Sequence, residues 1–205
     1  MIPYADFIPE IKLALGDIPD PVAESYVRQS AIDFCVRSQV LVRKVEIDIQ
    51  AGVTTYPVKT FGCEQIISIQ RICAGEQCHS LTLLTHEPCD TGLKVHGGVW
   101  FVPPNEVRLT TAPTTDRQGG IVLFASVAPE RDSCECDPIL YERYHEAIIN
   151  GALHRLYLAK ATPWHDKTLA EYHRQLAAQQ ITAAGIDRLT GGIRGPIPFK
   201  PRRII

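Results

Sequence analysis

The spacing of apolar residues changes twice along the chain, from a helical period to a strand period and back again. Residues 5–15 repeat apolar side chains at helical spacing, which predicts a short amphipathic helix. Residues 17–21 break this pattern. We expect Asp20 to cap a second helix with Pro21 at its first helical position. The apolar stripe that follows predicts that this helix runs to about residue 42.

From residue 45 the period is two, as in a strand with one buried face. Val45, Ile47 and Ile49 alternate with polar residues. The run at 121–125 is apolar on both faces, so we expect a central strand there. Short strands with close turns indicate a small antiparallel sandwich or a barrel-like pair of sheets. The predicted strands are residues 45–49, 53–58, 65–73, 77–84, 99–102, 106–111 and 121–127.

The helical period returns after residue 136. Asp137-Pro138 repeats the dipeptide of residues 20–21, and it predicts a helix that runs to about residue 158. Thr162 and Pro163 are expected to begin the last helix. Glycines from residue 185 onward weaken helical propensity, and the prolines near the C-terminus favour an extended or polyproline path.

These patterns predict an α+β protein. The N-terminal and C-terminal helix pairs are expected to form one helical bundle, with an antiparallel β-sandwich-like domain inserted between them and an extended C-terminal arm after them. The N-terminal bundle helices are predicted at residues 1–43 and the β domain at 44–128. The C-terminal bundle helices are predicted at 129–190 and the arm at 191–205.

Charge narrows the possible functions. The 205 residues carry a net charge of only −2, so electrostatic binding of nucleic acid by the whole chain is not expected. Residues 186–205 carry a net +4, which leaves −6 on the other 185. A basic tail on an acidic body predicts a tail that seeks an acidic or carbonyl-lined groove. No run approaches the ~20 apolar residues of a membrane span, and the first residues do not resemble a secretory signal.

The seven cysteines and seven histidines permit a metal or nucleophile hypothesis. Cys134 and Cys136 are separated by one residue, and no second pair lies at a matching distance, whereas zinc sites use paired Cys-x2–4-Cys clusters. Buried free thiols or loop residues, in a protein folded in a reducing cytosol, are the favoured interpretation, and bound zinc is the alternative. The sequence has neither a nucleophile elbow nor a phosphate-binding loop. We therefore predict no catalytic residue, no metal and no cofactor, and hence not an enzyme.

Three segments carry a family resemblance through their order and spacing. The first is Tyr4-Ala5-Asp6-Phe7-Ile8-Pro9-Glu10 with residues 19–22 and 31–35, the second is Gly52-Val53-Thr54-Thr55-Tyr56, and the third is residues 147–156 with 163–166 and 169–170. In these segments the chain resembles the head-to-tail connector (adaptor) proteins of tailed bacteriophages, and of the short-tailed phages in particular.

The resemblance implies a virion structural protein at the head–tail junction, folded in the host cytoplasm. It implies a homo-oligomeric ring of twelve copies, clamped beneath the portal protein, that extends the DNA channel and provides the platform for a tail or nozzle protein. DNA is expected to pass through the lumen to be ejected without specific binding, because each neutralised phosphate adds affinity and drag. No membrane is expected as a partner.

The resemblance also implies that the C-terminal segment, here the arm at residues 191–205, reaches into the portal. Apolar side chains spaced by prolines suit binding as an extended strand, and the basic side chains suit carboxylates on the partner. The predicted portal-binding residues are Ile193, Arg194, Ile197, Phe199, Lys200, Arg202, Arg203, Ile204 and Ile205. A subunit interface is predicted at Trp164, Arg155 and His154. A staple at the helix corner is the alternative for Trp164, and helix packing is the alternative for the histidines.

Two other functions stay open. A tail-tube or nozzle component of the same virion would have a similar α+β composition, and its partner would distinguish it from a connector. A small cytosolic metal-binding regulatory module is the alternative outside viruses, which bound zinc or a stable monomer would favour.

Overall fold

The computed structural model describes residues 1–60, 62–74, 79–84, 98–160 and 162–191. A 3-10 turn at Tyr4–Phe7 precedes four helices, which are α1 (Ile8–Leu15), α2 (Asp20–Ser38), α3 (Pro138–Leu158) and α4 (Lys167–Thr190). The strands are β1 (Ile2–Pro3), β2 (Val42–Ile49), β3 (Thr55–Pro57), β4 (Glu64–Ala74), β5 (His79–Ser80), β6 (Thr82–Leu84), β7 (Gly98–Val102), β8 (Glu106–Leu109), β9 (Arg117–Pro129) and β10 (Glu135–Cys136).

The helices from the two ends of the chain pack together, which confirms the predicted α+β fold with one helical bundle. Helix α3 is central, with Leu140, Ile148 and Leu156 fully buried. Ser30 in α2 donates a hydrogen bond from Oγ to the carbonyl oxygen of Ile148 at 2.7 Å. A Cβ atom on Gly151 would lie 2.2 Å from that Oγ, so the close approach of α2 to α3 requires glycine there.

The first sheet has the strand order β2-β9-β4-β5, with antiparallel pairing throughout. Strand β9 lies between β2 and β4, which confirms the prediction of a central strand at 121–125. Ile121, Leu123 and Ala125 are buried. This strand therefore brings one face of the sheet into the core that it shares with α3.

The second sheet has the strand order β3-β8-β7-β6. Its β6–β7 pair is parallel, so the prediction of antiparallel pairing is wrong for these two strands. The strand predicted over residues 77–84 is also wrong as a single element. His79–Ser80 pairs with β4, whereas Thr82–Leu84 pairs with β7 in the other sheet. The chain crosses between sheets at Leu81, and residues 75–78 lie outside the described part.

Two predicted boundaries of α2 are wrong. The helix ends at Ser38 and not near residue 42, because Gln39 takes a left-handed conformation (φ 52°) and Val42 already pairs with Ser126 of β9. At the other end, Asp20 is the first helical residue and its side chain caps nothing. Its carboxylate instead lies 2.5 Å from Lys12 Nζ.

Helix α4 begins at Lys167 and not at Pro163, so the prediction of a Thr162-Pro163 start is wrong. The N-cap is Asp166, whose Oδ1 accepts hydrogen bonds from the amides of Thr168 at 2.7 Å and Leu169 at 3.0 Å. One carboxylate oxygen satisfies two of the amides that a helix start leaves free, which explains why the helix begins there.

The predicted cap of α3 is confirmed, since Asp137 Oδ1 accepts a hydrogen bond from the Ile139 amide at 2.8 Å. The same carboxylate pairs with Arg43 of β2. Arg43 also binds Glu64 of β4 through two bonds, from Nε at 3.1 Å and from Nη2 at 2.6 Å. Hydrogen bonding to Glu64 is the main cause that raises the pKa of Arg43 above its ordinary value. This ion cluster joins the first sheet to the start of α3.

The two-stranded sheet brings distant parts of the chain together. Ile2 of β1 pairs with Cys136 of β10, next to the start of α3. Tyr4 is fully buried, and its hydroxyl lies 3.3 Å from Ser133 Oγ. Phe7 stacks on the ring of His145 with centroids 5.0 Å apart. The first seven residues of the chain therefore contact α3 and the segment just before it.

Candidate docking site

The predicted portal-binding arm begins where α4 ends. Gly191 closes the helix in a left-handed conformation (φ 63°), which favours glycine. The nine predicted contact residues, from Ile193 to Ile205, lie outside the described residues. Their role therefore stays a prediction.

His154 lies at the contact between α3 and α4. Its Nδ1 is 2.9 Å from the carbonyl oxygen of Ala170. Its neighbour on α4, His173, stacks on Tyr157 with ring centroids 5.5 Å apart and places Nδ1 2.8 Å from Asn150 Oδ1. Burial lowers the pKa of His173, with a smaller contribution from His154. These rings have helix-packing contacts within one chain, and a role of His154 between subunits stays a prediction.

Trp164 lies in the turn before α4 and not inside a helix. The side chain is half-buried and packs against the core. Its Nε1 is buried without a hydrogen-bond partner among the described residues. The turn is held by the Asp166 amide, which donates to the Tyr157 carbonyl at 3.1 Å. Trp164 therefore supports the α3–α4 corner, and a contact with a neighbour stays a prediction.

Arg155 lies at the edge of a groove of about 530 Å³ on the outer side of α2. Its guanidinium is 3.7 Å from the Asp33 carboxylate, which Arg37 also approaches at 3.6 Å. Arg28 and Arg131 line the same groove as Arg155. We call Arg28, Arg37, Arg131, Arg155 and Asp33 the basic surface. These residues comprise four guanidinium groups and one carboxylate, so the surface carries a net formal charge of +3, and Arg37 and Arg155 approach the carboxylate.

A second groove, between α2, α3 and α4, continues the basic surface. It has a volume of about 270 Å³ and is lined by Arg37, Arg155 and Arg174. Arg174 is paired with Glu171 at 2.6 Å. The Arg174 hydrogen bonds are the main cause that lowers the pKa of Glu171 to about 2. We therefore leave Arg174 out of the basic surface, because its charge is neutralised locally.

A third groove, of about 450 Å³, lies between the first turns of α3 and the last turns of α4. Glu142, Glu146 and Asp187 line it together with Arg143. We call these four residues the acidic surface, which has a net formal charge of −2. Glu146 accepts a long hydrogen bond of 3.3 Å from Gln180. The two surfaces were not predicted from the sequence. The polar row of α2 at residues 25, 28, 29 and 33 was the available signal for the first of them.

The cysteines do not form a metal centre in the described part of the chain. No group of three or more His, Cys, Asp or Glu side chains there could hold a metal ion. Four cysteines are free thiols, of which Cys35 and Cys136 are buried and Cys63 and Cys134 are exposed. Cys73 is disulfide-bonded, so the interpretation of free thiols is wrong for this residue. Burial is the main cause that raises the pKa of Cys136 to about 12. A thiol that stays protonated is a poor nucleophile and a poor ligand.

The described helices include none that is long and apolar enough to cross a membrane.

A family model described as SU10 adaptor protein matches residues 2–196, nearly the whole chain. This confirms the resemblance to phage adaptors that the segments at residues 4–10, 52–56 and 147–156 indicated. No curated protein matches the chain.

Proposed function

The chain belongs to the SU10 adaptor protein family, and on that premise we propose that it is a virion structural protein that joins the portal of a phage head to the tail. It forms a homo-oligomeric ring of twelve copies beneath the portal, and its other partner is a tail or nozzle protein. The observation that carries the proposal is the extent of the family match, which reaches from the first strand to the start of the arm. An adaptor family is structural and not enzymatic.

The fold supports different roles for the helical bundle and the β domain within each copy. The bundle of α2, α3 and α4 would pack around the ring, and the β domain would face another component. We retain the predicted parts, with residues 1–43 and 129–190 in the bundle and 44–128 in the β domain. Arg155 is the predicted interface residue that lies on an open groove, which supports its role in a subunit contact.

The arm at residues 191–205 would dock on the portal. Helix α4 has 24 residues and spans about 36 Å at 1.5 Å per residue. The arm therefore starts far from the α3–α4 corner, at an end of the bundle. Isoleucine and phenylalanine spaced by proline would bind along a groove of the portal with little ordering entropy to lose.

The test is electron microscopy of the purified protein with the portal protein of the same phage. We expect rings on the portal with the full chain. A variant that lacks residues 191–205 should keep its circular dichroism spectrum and melting temperature but lose attachment, because the bundle does not need the arm to fold. Attachment of the truncated protein at the level of the full chain would refute the role of the arm. Binding to a tail protein but not to the portal would instead favour a tail-tube or nozzle component.

A further inference from the structure

We propose that neighbouring copies of this chain join through the basic surface of one copy and the acidic surface of the next. This inference rests on the proposed ring and deepens it by naming the two surfaces that meet. The occupant of each groove is thus a second copy of the chain, and the argument for it is the opposite charge of the two surfaces.

The basic surface has the composition of a docking surface. Its charge comes from side chains that reach solvent, since Arg37 and Arg155 are 51% and 37% exposed. The floor of the groove includes Ile32 and Val36 of α2, and Val36 is itself an exposed apolar side chain. An apolar floor with a charged rim matches the arrangement of protein–protein interfaces.

The acidic surface has the matching composition. Its lining includes the small residues Ala147, Ala183 and Ala184, and Glu142 and Glu146 are exposed. Asp187 adds a third carboxylate at the end of α4. Because alanine side chains are short, long arginine side chains from a neighbour could lie across them and reach the carboxylates.

The two surfaces are formed by different charged residues, and the groove that continues the basic surface shares only Ala147 with the acidic groove. Ala178 of α4 lines the groove that continues the basic surface, and Asp187 lines the acidic groove. Over all the α4 residues that line the two grooves, the offset around the helix is about a third of a turn, so the two rows are neighbouring but distinct. A contact between two different surfaces is heterologous, and it forms a ring when the rotation from copy to copy divides a full turn. A contact of one surface with itself would give only a dimer.

The test reverses the sign of the charge on each of the two surfaces in separate variants. Arg37→Glu with Arg131→Glu reverses the basic surface, and Glu142→Lys with Glu146→Lys reverses the acidic surface. A control, Lys44→Glu with Lys59→Glu, makes the same charge change on exposed residues outside both surfaces. Each variant is mixed with the portal of the same phage, and the copies bound per portal are counted by native mass spectrometry. Melting temperatures check that each variant is folded.

We expect either double variant alone to occupy the portal about tenfold less than wild type, because like charges then face each other. An equal mixture of the two should restore the ring, since each reversed surface then meets its complement. The quadruple variant should also restore it, and the control should match wild type. Wild-type assembly should weaken as salt shortens the reach of exposed charges, which is about 8 Å at physiological ionic strength.

Two results would overturn the inference while leaving the proposed function intact. One is full rings from either double variant. The other is a mixture or quadruple variant that is folded but still defective, which would mean that these surfaces meet the portal and not a second copy. Failure of the wild-type protein to form rings on the portal would overturn the proposed function itself.

Discussion

Two helices of this protein start with the same Asp-Pro dipeptide, yet the two aspartates act differently. Asp137 precedes α3, accepts the Ile139 amide and pairs with Arg43, and only 16% of its side chain is exposed. Asp20 is already inside α2, caps nothing, and contacts Lys12 with 61% of its side chain exposed. The dipeptide therefore predicts where a helix begins, whereas the tertiary surroundings decide what the carboxylate does.

A third helix start refines this comparison. Asp166 has no proline after it, yet it makes two cap bonds, at 2.7 and 3.0 Å. It has no ion pair among the described residues. The three aspartates thus separate two contributions, since Asp137 is both a cap and an ion-pair partner, Asp166 is a cap alone, and Asp20 is a surface ion-pair partner alone.

The largest effect is expected from Asp137→Ala. The change removes the α3 cap and leaves Arg43 and Glu64 without their third charge, and Glu64 is only 5% exposed. We expect the free energy of unfolding to fall by about 3 kcal/mol, less than for a fully buried pair because Arg43 is partly exposed. Urea denaturation followed by circular dichroism measures it. Asp137→Asn keeps an oxygen for the cap and should lose less. A loss no greater than that of Asp20→Ala would contradict the comparison.

An intermediate effect is expected from Asp166→Ala. The two amides of the first turn of α4 lose their acceptor, but water can reach them because the site is exposed. We expect a loss of about 1 kcal/mol in the same urea experiment. Asp166→Ser is the matched control, since a hydroxyl oxygen can also accept from the helix start and should retain most of the stability. Equal losses for alanine and serine would argue against capping.

The smallest effect is expected from Asp20→Ala. Its ion pair with Lys12 is exposed on both sides, and such pairs contribute about 0.5 kcal/mol or less. The difference from wild type should disappear at high salt because the charges are screened. Lys12→Ala should have the same effect, and the double variant should lose no more than either single one. A loss near that of Asp166→Ala would show that Asp20 acts as a cap in solution.

The sequence correctly predicted a helix, strand or cap where a local pattern of residues is enough to determine it. Helical spacing predicted α1 to α4 in order, the apolar run at 121–125 predicted a central strand, and Asp137 was correctly predicted as a cap. Boundaries were wrong where a competing interaction lies elsewhere in the chain. Residues after Ser38 leave the helix to pair with β9, and no local pattern reports that pairing.

The two charged surfaces could not be predicted from local sequence patterns, because each is formed by residues from distant parts of the chain. Arg28, Arg131 and Arg155 come from α2, the segment after β9 and α3, and only the packing of α2 on α3 brings them to one groove. Arg43, Glu64 and Asp137 likewise meet because strand register and helix position coincide. Of the predicted interface residues, the structure places Arg155 on the open groove, while His154 and Trp164 have contacts within the chain.

The pairing of β1 with β10 has a consequence for the order in which the protein is made. Tyr4 needs Ser133 and Phe7 needs His145, so the opening residues of the chain must wait until about 140 more have left the ribosome. The first sheet draws its strands from residues 42–129, all of which are synthesised before α3. During translation the β-sheet can therefore form first, and the bundle closes over it last.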